Sequence, residues 1–263
     1  MRRGKLSGAY GLPFAAGVEQ IFIVLTCIAM GRSYGWRRGL RYAAGVAIAY
    51  AIQQQTVLRL IRKTGVRGLS PVDRLTLSRA TAGGVLAGLA FSGIRDREGA
   101  AGRLGWLMSV WGMISDVLDG KLARRLGTST LGNTLDIESD SWLTLWCALG
   151  AVAWGGLPRW SLLPPLVRYI HPMLDLRRGQ LPVGGGPKWG RLTGIAQYLF
   201  FSFALAPVAG RTRDRIARFA SPLISGAQLL SMLMLFFQAR TGSEGKGPSE
   251  GGVNLHHEQG ARF

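Results

Sequence analysis

Apolar residues in this chain come in blocks long enough to cross a bilayer, and that restricts its fold more than any other feature. A helix needs roughly 20 apolar residues to span the hydrocarbon core. Six such blocks lie downstream of residue 70, at about 75–94, 103–120, 134–156, 158–175, 191–209 and 218–238. Two more precede them, at about 12–30 and 40–58. The expected fold is an all-α integral membrane protein. Its core has six transmembrane helices, preceded by an N-terminal extension of one or two further apolar helices.

The divisions follow from composition. Residues 1–69 form the apolar and basic extension, 70–240 the membrane core, and 241–263 a polar tail with too little apolar surface to order it. Arg2, Arg3 and Lys5 are like the basic start of a signal peptide, but Glu19 and Gln20 interrupt the apolar run and no small-x-small cleavage site follows. The first block therefore reads as a retained segment lying partly in the interface. The mixed run 58–65 predicts an interfacial helix. The Gly- and Pro-rich run 176–190 predicts a flexible connection. Cys27 and Cys147 lie in apolar blocks and read as small fillers, and His256 and His257 as solvated tail residues.

The net charge is +18. Basic loops beside anionic headgroups account for such an excess in a membrane protein. The basic residues are scattered over every loop and form no stripe, which argues against a nucleic-acid partner. Arg211, Arg213, Arg215 and Arg218 face outward in the expected topology, against the usual bias.

Against that charge, and among only 14 acidic residues in all, four aspartates crowd into residues 116–140. On a helix, Asp116 and Asp119 stand at i,i+3 and Asp136 and Asp140 at i,i+4, so each pair shares a face. Carboxylates this crowded repel one another, and a hard divalent cation, or two, relieves the conflict. Metal-assisted chemistry at a membrane surface is the first expectation. A purely structural alternative pairs the aspartates with Arg124 and Arg125; it accounts for one or two of them, not four on two faces.

Asp116, Asp119, Gly120, Ala123, Arg124, Gly132, Asp136 and Asp140 reproduce all eight fixed residues of a known signature. The stretch resembles that of the CDP-alcohol phosphatidyltransferases: Asp-x-x-Asp-Gly-x-x-Ala-Arg, eight residues, then Gly-x-x-x-Asp-x-x-x-Asp. The chain departs from it in one respect. Seven residues, 125–131, separate the two halves, and the missing one falls in a Gly-Thr-Ser-Thr turn that can lose a residue without moving either helix face far. Further upstream, Pro71, Thr76 and Arg79 align loosely with a Pro-Asn-x-x-Thr-x-x-Arg opening seen in family members, with Asp73 for the asparagine. The same residues also read as an ordinary N-capped helix start.

The resemblance implies a membrane transferase that moves a phosphatidyl (or related phospho-alcohol) group from a CDP-linked lipid to a small polar alcohol, releasing CMP, in phospholipid biosynthesis. It implies Mg2+ or Mn2+, as two ions, held by Asp116, Asp119, Asp136 and Asp140. Asp140, one turn beyond Asp136, takes the part of general base. Gly120 and Ala123 leave room for the cytidine and its phosphates, and Arg124 pairs with a phosphate or an aspartate. Small residues also serve helix packing in any membrane bundle. Glu138 points away from the pair that flanks it. Arg168, His171, Lys188 and Arg191 are candidates for the acceptor pocket, with Thr193 and Gln197 nearby, although Lys188 and Arg191 also read as an ordinary positive loop end. A homodimer among membrane lipids, in a bacterial cytoplasmic membrane with its active site facing the cytoplasm, completes the expectation. Two other readings stay open: a divalent-cation transporter, and an inactive family member acting as a membrane scaffold.

Overall fold

A computed structural model describes residues 12–64, 69–127, 130–177, 188–208 and 211–244. Their regular structure is helical throughout: α1 (Leu12–Tyr34), α2 (Trp36–Thr64), α3 (Pro71–Ser92), α4 (Ala100–Leu126), α5 (Thr130–Ala153), α6 (Leu163–Arg177), α7 (Lys188–Leu205) and α8 (Arg211–Glu244), with a short 3-10 turn at Arg159–Leu162. Each apolar block expected from the sequence lies on one of these helices.

Helix α3 is the hub. It packs against α2, α4 and α5, and its middle is made of small residues, Ala80, Thr81, Ala82, Gly83, Gly84, Ala87 and Gly88, all buried. Lipid tails are as apolar as leucine, so packing in a membrane relies on close backbone approach rather than on hydrophobic transfer. Gly83 shows the consequence: a Cβ there would stand 2.5 Å from Trp142 Cδ1 on α5. Trp142, Trp146, Leu143, Phe201 and Leu205 join Leu86 in the largest buried cluster. A smaller one sets Val57 and Leu60 of α2 against Leu131 and Leu135 of α5. Helix α2 thus buttresses the start of α5.

The helix ends are set locally. Ser70 caps α3: the Asp73 N–H donates to Ser70 Oγ at 3.1 Å and the Ser70 N–H donates to Asp73 Oδ2 at 2.8 Å. Pro71 at the first helical position fixes φ where no intrahelical donor is needed. Gly127 ends α4 at φ 85°, in the left-handed region that favours glycine.

Two helices run past their expected bounds. The run 58–65 forms no separate interfacial helix: α2 continues to Thr64, because no Gly or Pro breaks it and a buried stripe of Tyr42, Val46, Ala49, Gln53, Val57 and Leu60 runs its length. Helix α8 continues to Glu244, past the expected start of the tail. The count of six spans is not supported by length and apolarity: among the described residues only Thr212–Met234 meets that test. The other core helices carry charged residues that break the apolar run, among them the aspartates of α4 and α5. Even so, large apolar side chains face outward, such as Ile21 and Leu25 on α1 and Phe219 and Leu223 on α8. Such a surface suits lipid rather than water. The all-α architecture is consistent with a membrane protein. The N-terminal basic residues, most of the 176–190 run, and His256 and His257 lie outside the described residues.

Candidate active site

Three helices converge on one guanidinium. Arg79 projects from α3 with its side chain 1% exposed. Its Nη1 pairs with Asp136 Oδ1 of α5 at 3.1 Å and with Asp140 of the same helix. Its Nη2 pairs with Asp119 of α4 and lies 3.6 Å from Asp116 Oδ1. Its Nε donates to Ser115 Oγ at 3.4 Å. Thr76, one turn earlier on α3, shares its Oγ1 hydrogen between the Val72 carbonyl at 3.1 Å and Asp119 Oδ2 at 3.2 Å. The helical spacings expected from the sequence therefore place all four aspartates around a single point.

Depth differs among them. The Asp119 side chain is 8% exposed, while those of Asp140, Asp136 and Asp116 are 33%, 47% and 58% exposed. Asp116, Asp136 and Asp140 each offer a carboxylate oxygen, and these three atoms lie within 4.8 Å of one another. Oxygen donors from two helices at that separation suit a hard divalent cation such as Mg2+ or Mn2+. The electrostatics agree, since one guanidinium against four carboxylates leaves the cluster three charges negative. A partly buried cluster with that imbalance attracts further positive charge, of which Arg191 across the larger cavity supplies part.

Two cavities meet at the aspartates. The smaller, about 100 Å³, is lined by Ser70, Thr76, Asp119, Gly120, Ala123, Gly132, Asn133 and Asp136, among others. A Cβ added at Gly120 would meet only Arg124 Nη1, at 3.8 Å, so the missing side chain leaves open space. The larger, about 630 Å³, has Arg79 and all four aspartates on one wall and Arg168, Arg191 and Tyr198 on another. Met113, Val117, Ile195 and Leu199 give it an apolar side between α4 and α7.

The other residues singled out in the sequence divide. Arg124 and Arg125 are exposed at the end of α4. The partner of the aspartates is Arg79, not either of these, which corrects the structural alternative. Arg168 and Arg191 reach the larger cavity. His171 and Lys188 lie on α6 and α7, with side chains outside the description. Thr193 donates to the Gly190 carbonyl at 3.2 Å. Gln197 is fully buried and, like Glu138, lines neither cavity.

In the sequence, Thr76 and Arg79 align with a family opening but are not among the expected site residues, where they stand at the centre. A signal for them existed. Asp73, Thr76 and Arg79 recur every third residue, and all three are buried on one side of α3. The N-cap reading holds, since Asp73 closes the capping box, and Thr76 and Arg79 on the same face contact the aspartates.

No curated protein and no solved structure matches the chain. One family model does, described as CDP-alcohol phosphatidyltransferase, over residues 73–238. The match takes in α3 to α7 and most of α8, and leaves α1 and α2 outside. It is a family of transferases acting on CDP-alcohols, known for divalent-metal use. With its motif residues gathered at one point and that match covering well over half of its length, the chain belongs to the CDP-alcohol phosphatidyltransferase family.

Proposed function

We propose that this protein transfers a phosphatidyl or related phospho-alcohol group from a CDP-alcohol, such as CDP-diacylglycerol, to a hydroxyl acceptor in phospholipid biosynthesis, with CMP as the other product. The observation that carries the reading is the convergence of Asp116, Asp119, Asp136 and Asp140 where a small cavity and a large one meet. A transport pathway would instead spread its carboxylates through the depth of the membrane.

The roles follow from position. Asp116, Asp119, Asp136 and Asp140 hold one or two Mg2+ or Mn2+ ions. When bound, such ions neutralise the pyrophosphate and lower the barrier to displacement at phosphorus. Gly120 and Ala123 form the floor on which the cytidine phosphates lie, with Arg124 at the rim. The apolar side between α4 and α7 takes the lipid chains. Asp140 borders the larger cavity and accepts the acceptor's hydroxyl proton as that oxygen bonds to phosphorus and the bond to the CMP oxygen breaks. Lys188 and Arg191, with Arg168, bind the acceptor. Helices α3 to α8 form the six-helix membrane core, and α1 and α2 an extension of which α2 braces α5. The working unit is a homodimer in a bacterial cytoplasmic membrane, with the aspartates toward the cytoplasm.

The test is direct. Purified protein is incubated with CDP-diacylglycerol and Mg2+ or Mn2+, together with glycerol phosphate, inositol phosphate, inositol or serine in turn, and CMP is measured. Acceptor-dependent CMP release with one of these, lost in excess EDTA, is expected. Undiminished release in EDTA would overturn the metal assignment. No release with any acceptor would overturn the enzymatic reading in favour of a scaffold.

A further inference from the structure

The larger cavity has a second charged wall, opposite the aspartates. Arg168 of α6 and Arg191 of α7 stand on it. Among the described residues, the ion pairs of the four aspartates all run to Arg79 and none to either of these. Arg168 is half-buried, and its guanidinium lies against the backbone of α7. A Cβ at Gly194 would stand 2.7 Å from Arg168 Nη1 and 3.6 Å from its Cζ. Side-chain carbons do not approach that closely, so only glycine leaves this seat free. Gly194 lies one turn beyond Arg191, which puts the seat and the second arginine on one face of α7. Gly190, in the first turn of the same helix, also lines the cavity. Backbone N–H groups of a first turn have no intrahelical acceptor.

We propose that Gly194 sets the class of acceptor: it seats Arg168 beside Arg191 as an anion clamp, and the acceptor is an alcohol that carries a phosphate monoester. This rests on the transferase reading above and specifies its second substrate. Each planar guanidinium can meet a phosphate with paired N–H donors. A phosphate monoester carries about two negative charges at neutral pH, which two arginines match. A neutral polyol leaves both guanidinium groups without an anion. A zwitterion such as serine brings its own cation to a wall that is already positive. The opposed walls also orient the acceptor, with its phosphate at the arginines and its hydroxyl toward Asp140. The pyrophosphate of the CDP-lipid is a second source of the same chemistry, and the test separates the two. Gly194 touches the guanidinium rather than the substrate, so it is a positioning residue.

The experiment titrates full-length purified protein with inorganic phosphate, glycerol phosphate, inositol phosphate, glycerol and serine by calorimetry. In parallel, CMP release gives separate KM values for acceptor and CDP-diacylglycerol. Wild type should bind phosphate and a phosphorylated alcohol, and neither glycerol nor serine. In Gly194→Ala the new methyl meets the end of a flexible side chain, so the thermal midpoint should hold while Arg168 is displaced. Phosphate affinity should fall roughly tenfold, the worth of one hydrogen bond to a charged group. The acceptor KM should rise by a similar factor, with the KM for CDP-diacylglycerol unchanged. Arg168→Gln should lose at least as much, and adding Gly194→Ala to it should cost nothing further, because the methyl acts only through that guanidinium. A Gly194→Ala protein that binds phosphate like wild type, or that fails to fold, would overturn the seating and leave the clamp to be judged on Arg168→Gln and Arg191→Gln. Wild-type phosphate affinity in both of those would overturn the clamp. A rise in the CDP-lipid KM alone would give the arginines to the pyrophosphate and overturn the acceptor class, as would turnover with serine or inositol and with no phosphorylated alcohol. Phosphate binding that weakens in the variants, with no CMP release from any acceptor, would leave the clamp standing and overturn the transferase reading beneath it.

Discussion

The two ends of the bundle both tie arginines to aspartates, but in opposite proportions. At the end formed by residues 93–99, the close of α7 and the start of α8, Asp214 accepts from Arg97 at 2.7 Å and from Arg213 at 3.2 Å. Some of the remaining donors go to backbone carbonyls: Arg97 to Ala204, Arg213 to Ala206, and Arg218 to Gly155 at 3.1 Å. Several of these carbonyls terminate helices, where unpaired oxygens gather and the helix dipole is negative. Positive charge is in excess there, and the chain's own backbone absorbs it. At the other end four carboxylates share one guanidinium, which donates to side chains of α4 and α5. Buried charge does not by itself mark a site in this molecule. The distinguishing feature of this end is an excess of carboxylate beside an open cavity.

The largest test of that contrast removes a carboxylate from the carboxylate-rich end. Asp136→Ala or Asp119→Ala should lower CMP release by at least about 10³-fold, the scale of losing one stabiliser of transition-state charge. Both variants should still elute as folded protein, since the apolar packing of α3 against α5 does not involve those oxygens. Near-wild-type turnover in either would remove it from the ligand set. Asp140→Asn is the next step down. It keeps size and hydrogen bonding but cannot accept a proton, and turnover should fall about 10²–10⁴-fold while CDP-lipid affinity changes far less. Equal losses of binding and turnover would make Asp140 chiefly a ligand.

What the sequence revealed followed from periodicity. The spacing of Asp116, Asp119, Asp136 and Asp140 is a property of single helices, so their shared faces were legible before any fold. Block length predicted a helix at each position for the same reason. What stayed hidden depended on pairing between helices. Arg79 is 36 residues or more from its partners, and only the crossing of α3 over α4 and α5 brings it to them. The nearer arginines, Arg124 and Arg125, were adjacent in the chain but stand exposed. The continuous α2 was obscured by its composition. Basic residues at 59, 62 and 63 look interfacial as a list, yet its buried stripe carries through to Leu60.

A smaller effect is expected where a ligand is to meet bare backbone. Gly120→Ala adds a methyl group whose nearest neighbour is Arg124 Nη1 at 3.8 Å, so the protein itself has room for it. If the cytidine phosphates lie against this helix face, the methyl overpacks the complex and should raise the KM for the CDP-lipid roughly tenfold, with kcat less affected. An unchanged KM would place the nucleotide elsewhere.

The smallest effect on activity should come from the other end. Asp214→Asn removes the charge that Arg97 and Arg213 share, yet the amide oxygen can still accept one hydrogen bond. Both arginines also keep their carbonyl partners, Ala204 and Ala206. The cost should therefore fall below that of stripping a buried ion pair, at about 1–2 kcal/mol of stability. It should appear as a lower thermal midpoint in detergent. CMP release measured below that midpoint should stay within about twofold of wild type, because no group at this end lines either cavity. A stable Asp214→Asn protein with turnover as low as that of Asp140→Asn would break the distinction between the ends. The arginine-rich end would then belong to the reaction, and charge saturation would no longer separate a structural network from a functional one.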